Sequence, residues 1–137
     1  MTKAINLKES FGNVKFGYTT EQVVNILGKP DEIEEIGEDF DCPTELLHYN
    51  SIGISLFFDT TEEKLVCIDI NSKDATLFNE RVIGKTSKEI VDLMIKNNIT
   101  KQTMENETWG EKRISFQDYS IDFFFTNDKL ESITIGQ

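Results

Sequence analysis

Cysteine, proline, histidine and tryptophan are all scarce in this chain, and so is positive charge. Cys42 and Cys67 are too few and too unpatterned to form the disulfide framework that holds small secreted domains together. His48 is the single histidine, and no residue pair has the spacing of a zinc site, so neither a metal nor any other cofactor is expected. The 14 Lys and Arg face 25 Asp and Glu, a formal net charge of −11. That balance argues against nucleic acid and anionic membrane as partners, because both demand a positive surface. No apolar run is long enough to cross a bilayer, and Met1-Thr2-Lys3-Ala4-Ile5-Asn6 offers neither an apolar signal core nor a lipid-attachment cysteine. The expectation is a cytoplasmic location. There is also no P-loop, dinucleotide glycine motif, Gly-x-Ser-x-Gly elbow or His-Glu-x-x-His, so a protein that is not an enzyme is expected.

What the chain does have is one stretch written twice. Phe16-Gly17-Tyr18-Thr19-Thr20-Glu21-Gln22-Val23-Val24-Asn25-Ile26-Leu27 corresponds, 67 positions on, to Ile83-Gly84-Lys85-Thr86-Ser87-Lys88-Glu89-Ile90-Val91-Asp92-Leu93-Met94. The same offset relates Ile52–Asp59 to Tyr119–Thr126. In each copy a threonine stands three positions before Gln22 or Glu89, the spacing of a capping box, and apolar residues follow at helical intervals. Val23, Val24, Ile26 and Leu27 are assigned to one buried helix face, and Ile90, Val91, Leu93 and Met94 to the other. Gly28 and Pro30 end the first helix, whereas the second runs further and ends on asparagine at Asn97-Asn98.

Each helix is followed by three candidate strands, near 46–49, 52–58 and 65–70 in the first copy and 113–116, 119–125 and 130–135 in the second. The expected fold class is therefore α+β: a tandem repeat of two helix–antiparallel-meander units, their sheets joined side by side with the helices on one face. The whole of 1–137 is expected as a single domain, with unit one at about 14–70, a linker at 71–82 and unit two at about 83–137. Residues 1–13 read as a polar lead-in anchored by Phe11 and Val14. Period-two alternation puts Ile52, Ile54, Leu56, Phe58, Ile68, Ile70, Tyr119, Ile121, Phe123, Phe125, Ile133 and Ile135 under the helices. Ser55, Phe57, Asp59, Cys67, Asp69, Arg113, Ser115, Asp122, Phe124, Ser132 and Thr134 fall on the opposite side, which is polar apart from two matched phenylalanines.

The candidate binding residues lie where the copies differ or where apolar groups meet solvent. Asp31, Glu32, Glu34, Glu35, Glu38, Asp39, Asp41 and Glu45 crowd one stretch without a Lys or Arg, read as an acidic loop that steers a basic protein by charge. Phe57 and Phe124, with Asp122 beside them, are candidate anchors on the open face, and Trp109 is a candidate hot spot in a polar stretch. Against these stand plainer readings: a solvated charge run, a covered sheet face, and a tryptophan that closes the core. Glu38-Asp39-Phe40-Asp41 lacks the ordered spacing and central glycine of an EF-hand calcium loop.

The duplicated pattern Gly-x-Thr-[Thr/Ser]-x-[Gln/Glu]-[Val/Ile]-Val before a meander, carried by Phe16–Val23 with Leu27-Gly28-Lys29-Pro30-Asp31, resembles the β-lactamase-inhibitor-protein-like fold and its relatives among small outer-membrane assembly lipoproteins. The resemblance covers 14–137. It implies one continuous sheet whose open face grips a target protein, and it leads to an expected function. That function is a non-catalytic, protein-binding inhibitor: an immunity protein that blocks the active site of a cognate basic, nuclease-type bacterial toxin, and is itself monomeric or homodimeric when free. Two alternatives stand beside it, a homo-oligomeric structural module and a small ligand-binding protein or enzyme with a pocket near His48 and Cys67.

Overall fold

Alternation of apolar and polar side chains makes strand the commonest regular structure among the described residues, which are 3–36, 44–106 and 110–137 of the computed structural model. Three short strands come first, β1 (Ala4–Asn6), β2 (Ser10–Phe11) and β3 (Val14–Lys15). Helix α1 (Thr20–Leu27) precedes β4 (Glu32–Ile36), β5 (Thr44–Tyr49), β6 (Ile54–Asp59) and β7 (Lys64–Ile70). Two more short strands, β8 (Thr76–Leu77) and β9 (Glu80–Arg81), lead into α2 (Ser87–Lys96). The chain closes with β10 (Thr103–Asn106), β11 (Glu111–Phe116), β12 (Ile121–Thr126) and β13 (Lys129–Gly136). Among the described residues this is a mixed α+β fold of two helices and two sheets.

The larger sheet has eight strands in the order β10-β11-β12-β13-β7-β6-β5-β4. Every neighbouring pair in it is antiparallel, and β7 joins β13 through Ile70–Ile133, Asp69–Thr134, Ile68–Ile135 and Cys67–Gly136. The smaller sheet, β3-β2-β1-β8-β9, contains one parallel pair, β1 with β8. It takes in the N-terminal residues expected as a lead-in and the 71–82 stretch expected as a linker. Phe11 and Val14 are fully buried in it, as anticipated, and Ile5, Leu77 and Val82 join the same core.

Both helices begin as their sequences require. The Thr19 and Thr86 hydroxyls accept from the N–H groups of Gln22 and Glu89, whose side chains reach back to the threonine N–H groups. Each closed box satisfies two backbone donors that a helix start otherwise leaves open, and is worth about 1 kcal/mol. Gly28 ends α1 at φ 85° and ψ −165°, a conformation that only glycine adopts without strain. Helix α2 runs on to Asn97, and Asn98 takes the left-handed turn at φ 64°.

One face of the large sheet is covered. Ile54, Leu56, Phe58, Ile68 and Ile70, with Ile121, Phe123, Phe125, Ile133 and Ile135, form one core with Val23, Ile90, Leu93 and Met94 from the helices. Phe116 and Phe123 meet edge to face with ring centroids 5.9 Å apart, a favoured aromatic geometry. Two expectations change at the margin. Ile26 is 42% exposed, because position 26 turns away from the stripe set by Val23 and Leu27. Tyr119 is exposed in a 3-10 turn, Gln117–Tyr119, outside the sheet.

The acidic stretch also differs from expectation, since Glu32–Ile36 is not a loop but the outermost strand, paired with β5 from Glu32–His48 to Ile36–Thr44. The core has a sharp test. Phe123→Ala is expected to cost about 3–5 kcal/mol by leaving a cavity in the closed face, while Ile26→Ala stays within about 0.5 kcal/mol. Urea unfolding of the two variants measures both, and comparable losses at the two positions would contradict this core assignment.

Candidate functional site

Register across the large sheet brings together residues that are far apart in sequence. Starting from the β4 edge, the paired positions on the face away from the helices run Glu32, His48, Ser55, Asp69, Thr134, Asp122, Ser115 and Thr103. All eight strands contribute one residue, and all eight residues are polar. Two contacts knit the row together: His48 Nδ1 and Ser55 Oγ share a 2.8 Å hydrogen bond, and the Thr134 hydroxyl donates to Asp69 Oδ1 at 3.4 Å. On its other side the His48 ring places Nε2 3.6 Å from Glu34 Oε1.

Phe57 and Phe124 flank this row on opposite sides. Phe57 pairs with Cys67, two residues to one side of Asp69, and Phe124 pairs with Ser132, two residues to the other side of Thr134. Both rings are half-buried, and the register of β6–β7 and of β12–β13 slips immediately after each. Three strand spacings and four residue rises separate them, roughly 20 Å. They form two apolar islands with an acidic row between them, not one patch.

The other expected site residues scatter. Glu32 and Glu34 lie on the open face. Glu35 and Glu45 pair with each other on the helix side, where like charges placed opposite cost stability. Glu45 there lines a cleft of about 370 Å³ with Thr19, Glu21, Asp59 and Glu63. Asp31 serves the scaffold, its carboxylate accepting from the Asn50 N–H at 2.7 Å. Its charge, after burial, helps to push the Tyr49 hydroxyl above the ordinary phenol value. Glu38, Asp39, Asp41, Cys42 and Trp109 lie outside the described residues.

His48 faces Ser55, not Cys67. The thiol is a poor nucleophile, since burial, followed by the nearby charges of Asp69 and Asp122, pushes it up to about 11, whereas reactive cysteines have depressed values. Among the described residues no group of three or more His, Cys, Asp or Glu could hold a metal ion.

Asp69, Asn71 and Ser55 carry no binding motif in the sequence, and the structure brings them together. With Asn50, Gly53 and Ile54 they line a cavity of about 190 Å³; neither His48 nor Cys67 lines it. Burial holds the Asp69 carboxyl above the usual range, against the lowering effect of Thr134 and the Ile70 amide. Its register neighbours on the face, Ser55, Thr134, Cys67 and Asn71, include no basic group. Alternation alone puts Asp69 on the open face, but only the register shows it at the centre of the sheet.

No protein-family model and no curated protein matches the sequence. Solved structures do. An extracellular protein containing an SCP domain from Bacillus anthracis superposes with a TM-score of 0.51 at 15% identity, over 86% of this chain and 42% of that one. A cysteine-rich secretory protein from Staphylococcus aureus gives 0.48 at 15% identity, over 86% of this chain and 43% of that one. The chain thus spans less than half the length of the proteins it resembles, and at this identity the likeness is one of fold. It corrects the sequence reading in three respects. The matching fold is not that of the β-lactamase-inhibitor-like family; the immunity assignment that rested on that resemblance falls with it; and the similar protein is described as extracellular, against the cytoplasmic location expected here.

An uncompensated carboxylate in the sheet has a measurable signature. With its folded-state pKa raised, ionised Asp69 costs stability above that pKa, and the cost fades as pH falls through it towards the unfolded value. Asp69→Asn is therefore expected to raise the thermal unfolding midpoint near neutral pH, and the advantage should vanish in acid. Thermal melts of both proteins across pH check this, and an asparagine variant no more stable than its parent at neutral pH would contradict it.

Proposed function

We propose that the chain is a non-catalytic protein-binding module, built by duplication of a helix-and-meander unit, that receives a basic partner on the open face of its large sheet. Matched hydrogen bonds support the duplication. Leu65 exchanges backbone bonds with Gly17 and Tyr18 at 2.9 and 2.8 Å, and Leu130 does the same with Gly84 and Lys85 at 2.8 Å. The offset from Gly17 to Gly84 is the one that relates the duplicated sequences.

The observation that carries the functional reading is the row Glu32–Thr103, crossing every strand and flanked by Phe57 and Phe124. Its carboxylates, with Glu34, give the face a negative character, and one Nη of the nearby Arg113 guanidinium pairs with Glu105 at 3.2 Å. A complementary basic surface would associate fast and in one orientation, while the half-buried rings supply anchors at each side. Covering a basic cleft of the partner is the form of inhibition this geometry allows. The partner is assigned as a basic protein and no further, and an extracellular setting, stated for the similar Bacillus anthracis protein, replaces the cytoplasmic one in this proposal.

Selection of binders from a random displayed peptide library tests the reading. Enriched peptides are expected to be rich in Lys and Arg and to bind more weakly as salt rises. Their affinity should fall by about tenfold or more when Glu32, Glu34 and Asp122 are neutralised to Gln or Asn. Binders without basic residues, or binders indifferent both to those changes and to Phe57→Ala with Phe124→Ala, would overturn it.

A further inference from the structure

We propose that the cavity lined by Asn50, Gly53, Ser55, Asp69 and Asn71 is the anchor pocket of this face and takes a single cationic side chain, lysine or arginine, from the partner. The inference rests on the binding-face reading and adds to it a specific place and a specific chemistry.

Size comes first. At about 190 Å³ the cavity is smaller than the roughly 300–1,000 Å³ of sites that hold drug-sized molecules, and it suits one ammonium or guanidinium head. The wall chemistry is the second point. The lining groups Asp69, Ser55, Asn50 and Asn71 bring a carboxylate, a hydroxyl and two amide oxygens. These are acceptors for the three N–H donors of an ammonium or the fork of a guanidinium. The hydroxyl is already oriented by His48 at 2.8 Å.

Charge is the third point. Asp69 is half-buried, its carboxyl takes a long hydrogen bond from the Thr134 hydroxyl and one from the Ile70 amide, and no basic residue stands beside it in register. A half-desolvated carboxylate without a counter-ion is a standing cost, and pairing it with an incoming cation removes that cost on binding. The carboxylates of Glu32 and Glu34 stand exposed on the outermost strand, where they steer an approaching cationic partner and leave the anchoring contact to the half-buried Asp69.

Local backbone geometry has also made room for this pocket in the first half of the sheet. Gly53 sits at φ 78°, and a Cβ there would come 2.9 Å from Asn71 Oδ1 and 2.9 Å from Ser72 Cα. The bare backbone is what allows Asn71 to form the wall. In the second half the corresponding bond runs from the Gly136 N–H to the Ser120 carbonyl at 2.9 Å, matching Asn71 N–H to Gly53 at 2.9 Å. There the place of Asn71 is taken by a residue without a side chain, and the place of Asp69 by Thr134. The two halves differ where the ligand is proposed to bind.

Amide NMR of the full chain tests this, with Nα-acetyl-arginine amide and Nα-acetyl-lysine amide as probes and Nα-acetyl-citrulline amide as the uncharged control. The cationic probes are expected to shift the resonances of Gly53, Ser55, Asp69 and Asn71 in a saturable way, and citrulline amide to leave them in place. Asp69→Asn should weaken the response by about tenfold or more, while Asp92→Asn, exposed on helix α2 and away from the open face, should leave it within about twofold. Equal losses in the two variants would show a diffuse charge effect and overturn the pocket. So would shifts centred on Glu32 and Glu34, or equal binding of citrulline amide, or calcium chloride moving the pocket resonances when neither cation amide does. If the probes leave the pocket unmoved while library-selected basic peptides still bind the face, the pocket inference fails and the broader reading stands. If neither binds, both fail.

Discussion

Everything on the open face of the large sheet depends on the short antiparallel join between β7 and β13. Four residue pairs, from Cys67–Gly136 to Ile70–Ile133, turn two four-stranded meanders into one sheet. The isoleucines of this join point into the core, where Ile68, Ile70, Ile133 and Ile135 are fully buried. Their hydrophobic burial, about 1.5–3 kcal/mol per side chain, fixes the register, because a slip of one residue would put all four into solvent. That same register delivers Asp69 and Thr134 to the middle of the opposite face. The polar row therefore exists because the apolar one does.

Much of the scaffold is legible in the sequence for a simple reason: its determinants are local or strictly periodic. A threonine three positions before an acid or amide closes a capping box, and Ile-x-Leu-x-Phe or Ile-x-Phe-x-Phe alternates visibly. The elements that escape a sequence reading carry no such signal. Strands β1, β2, β3, β8 and β9 have two or three residues each, too short to display a period. Strand β4 reads Glu-Ile-Glu-Glu-Ile, acidic on both sides, with Ile33 59% exposed; an outermost strand buries so little that its composition is that of a loop. Ile26 departs from its expected place because four apolar residues in five cannot share one face, and 100° per residue carries position 26 out of it.

The site is less legible because it is a product of register. Phe57, Phe124 and Asp122 can be assigned to the open face by alternation, but their relation to one another depends on turns and on two bulges that sequence spacing does not specify. The pair of matched phenylalanines becomes two islands roughly 20 Å apart. The single acidic cluster is divided by the pleat of β4. Asp69, at the centre, gives no signal because a lone aspartate in Cys-Ile-Asp-Ile has no motif. The resemblance drawn from the duplicated pattern fails for a related reason: capping boxes and apolar stripes are what any helix laid on a sheet needs, so they identify an architecture poorly and a family hardly at all.

The position of β4 at the rim has a consequence for assembly. The large sheet is open, with β4 at one end and β10 at the other, and joining the β4 of one copy to the β10 of the next would be a head-to-tail contact that repeats without closing. Such growth would bring Glu32, Glu34 and Glu35 up against the strand that carries Glu105, and would do so at every junction. Like charge meeting like charge at each junction would oppose that growth, so the composition of β4 works against an open-ended ladder of the described strands.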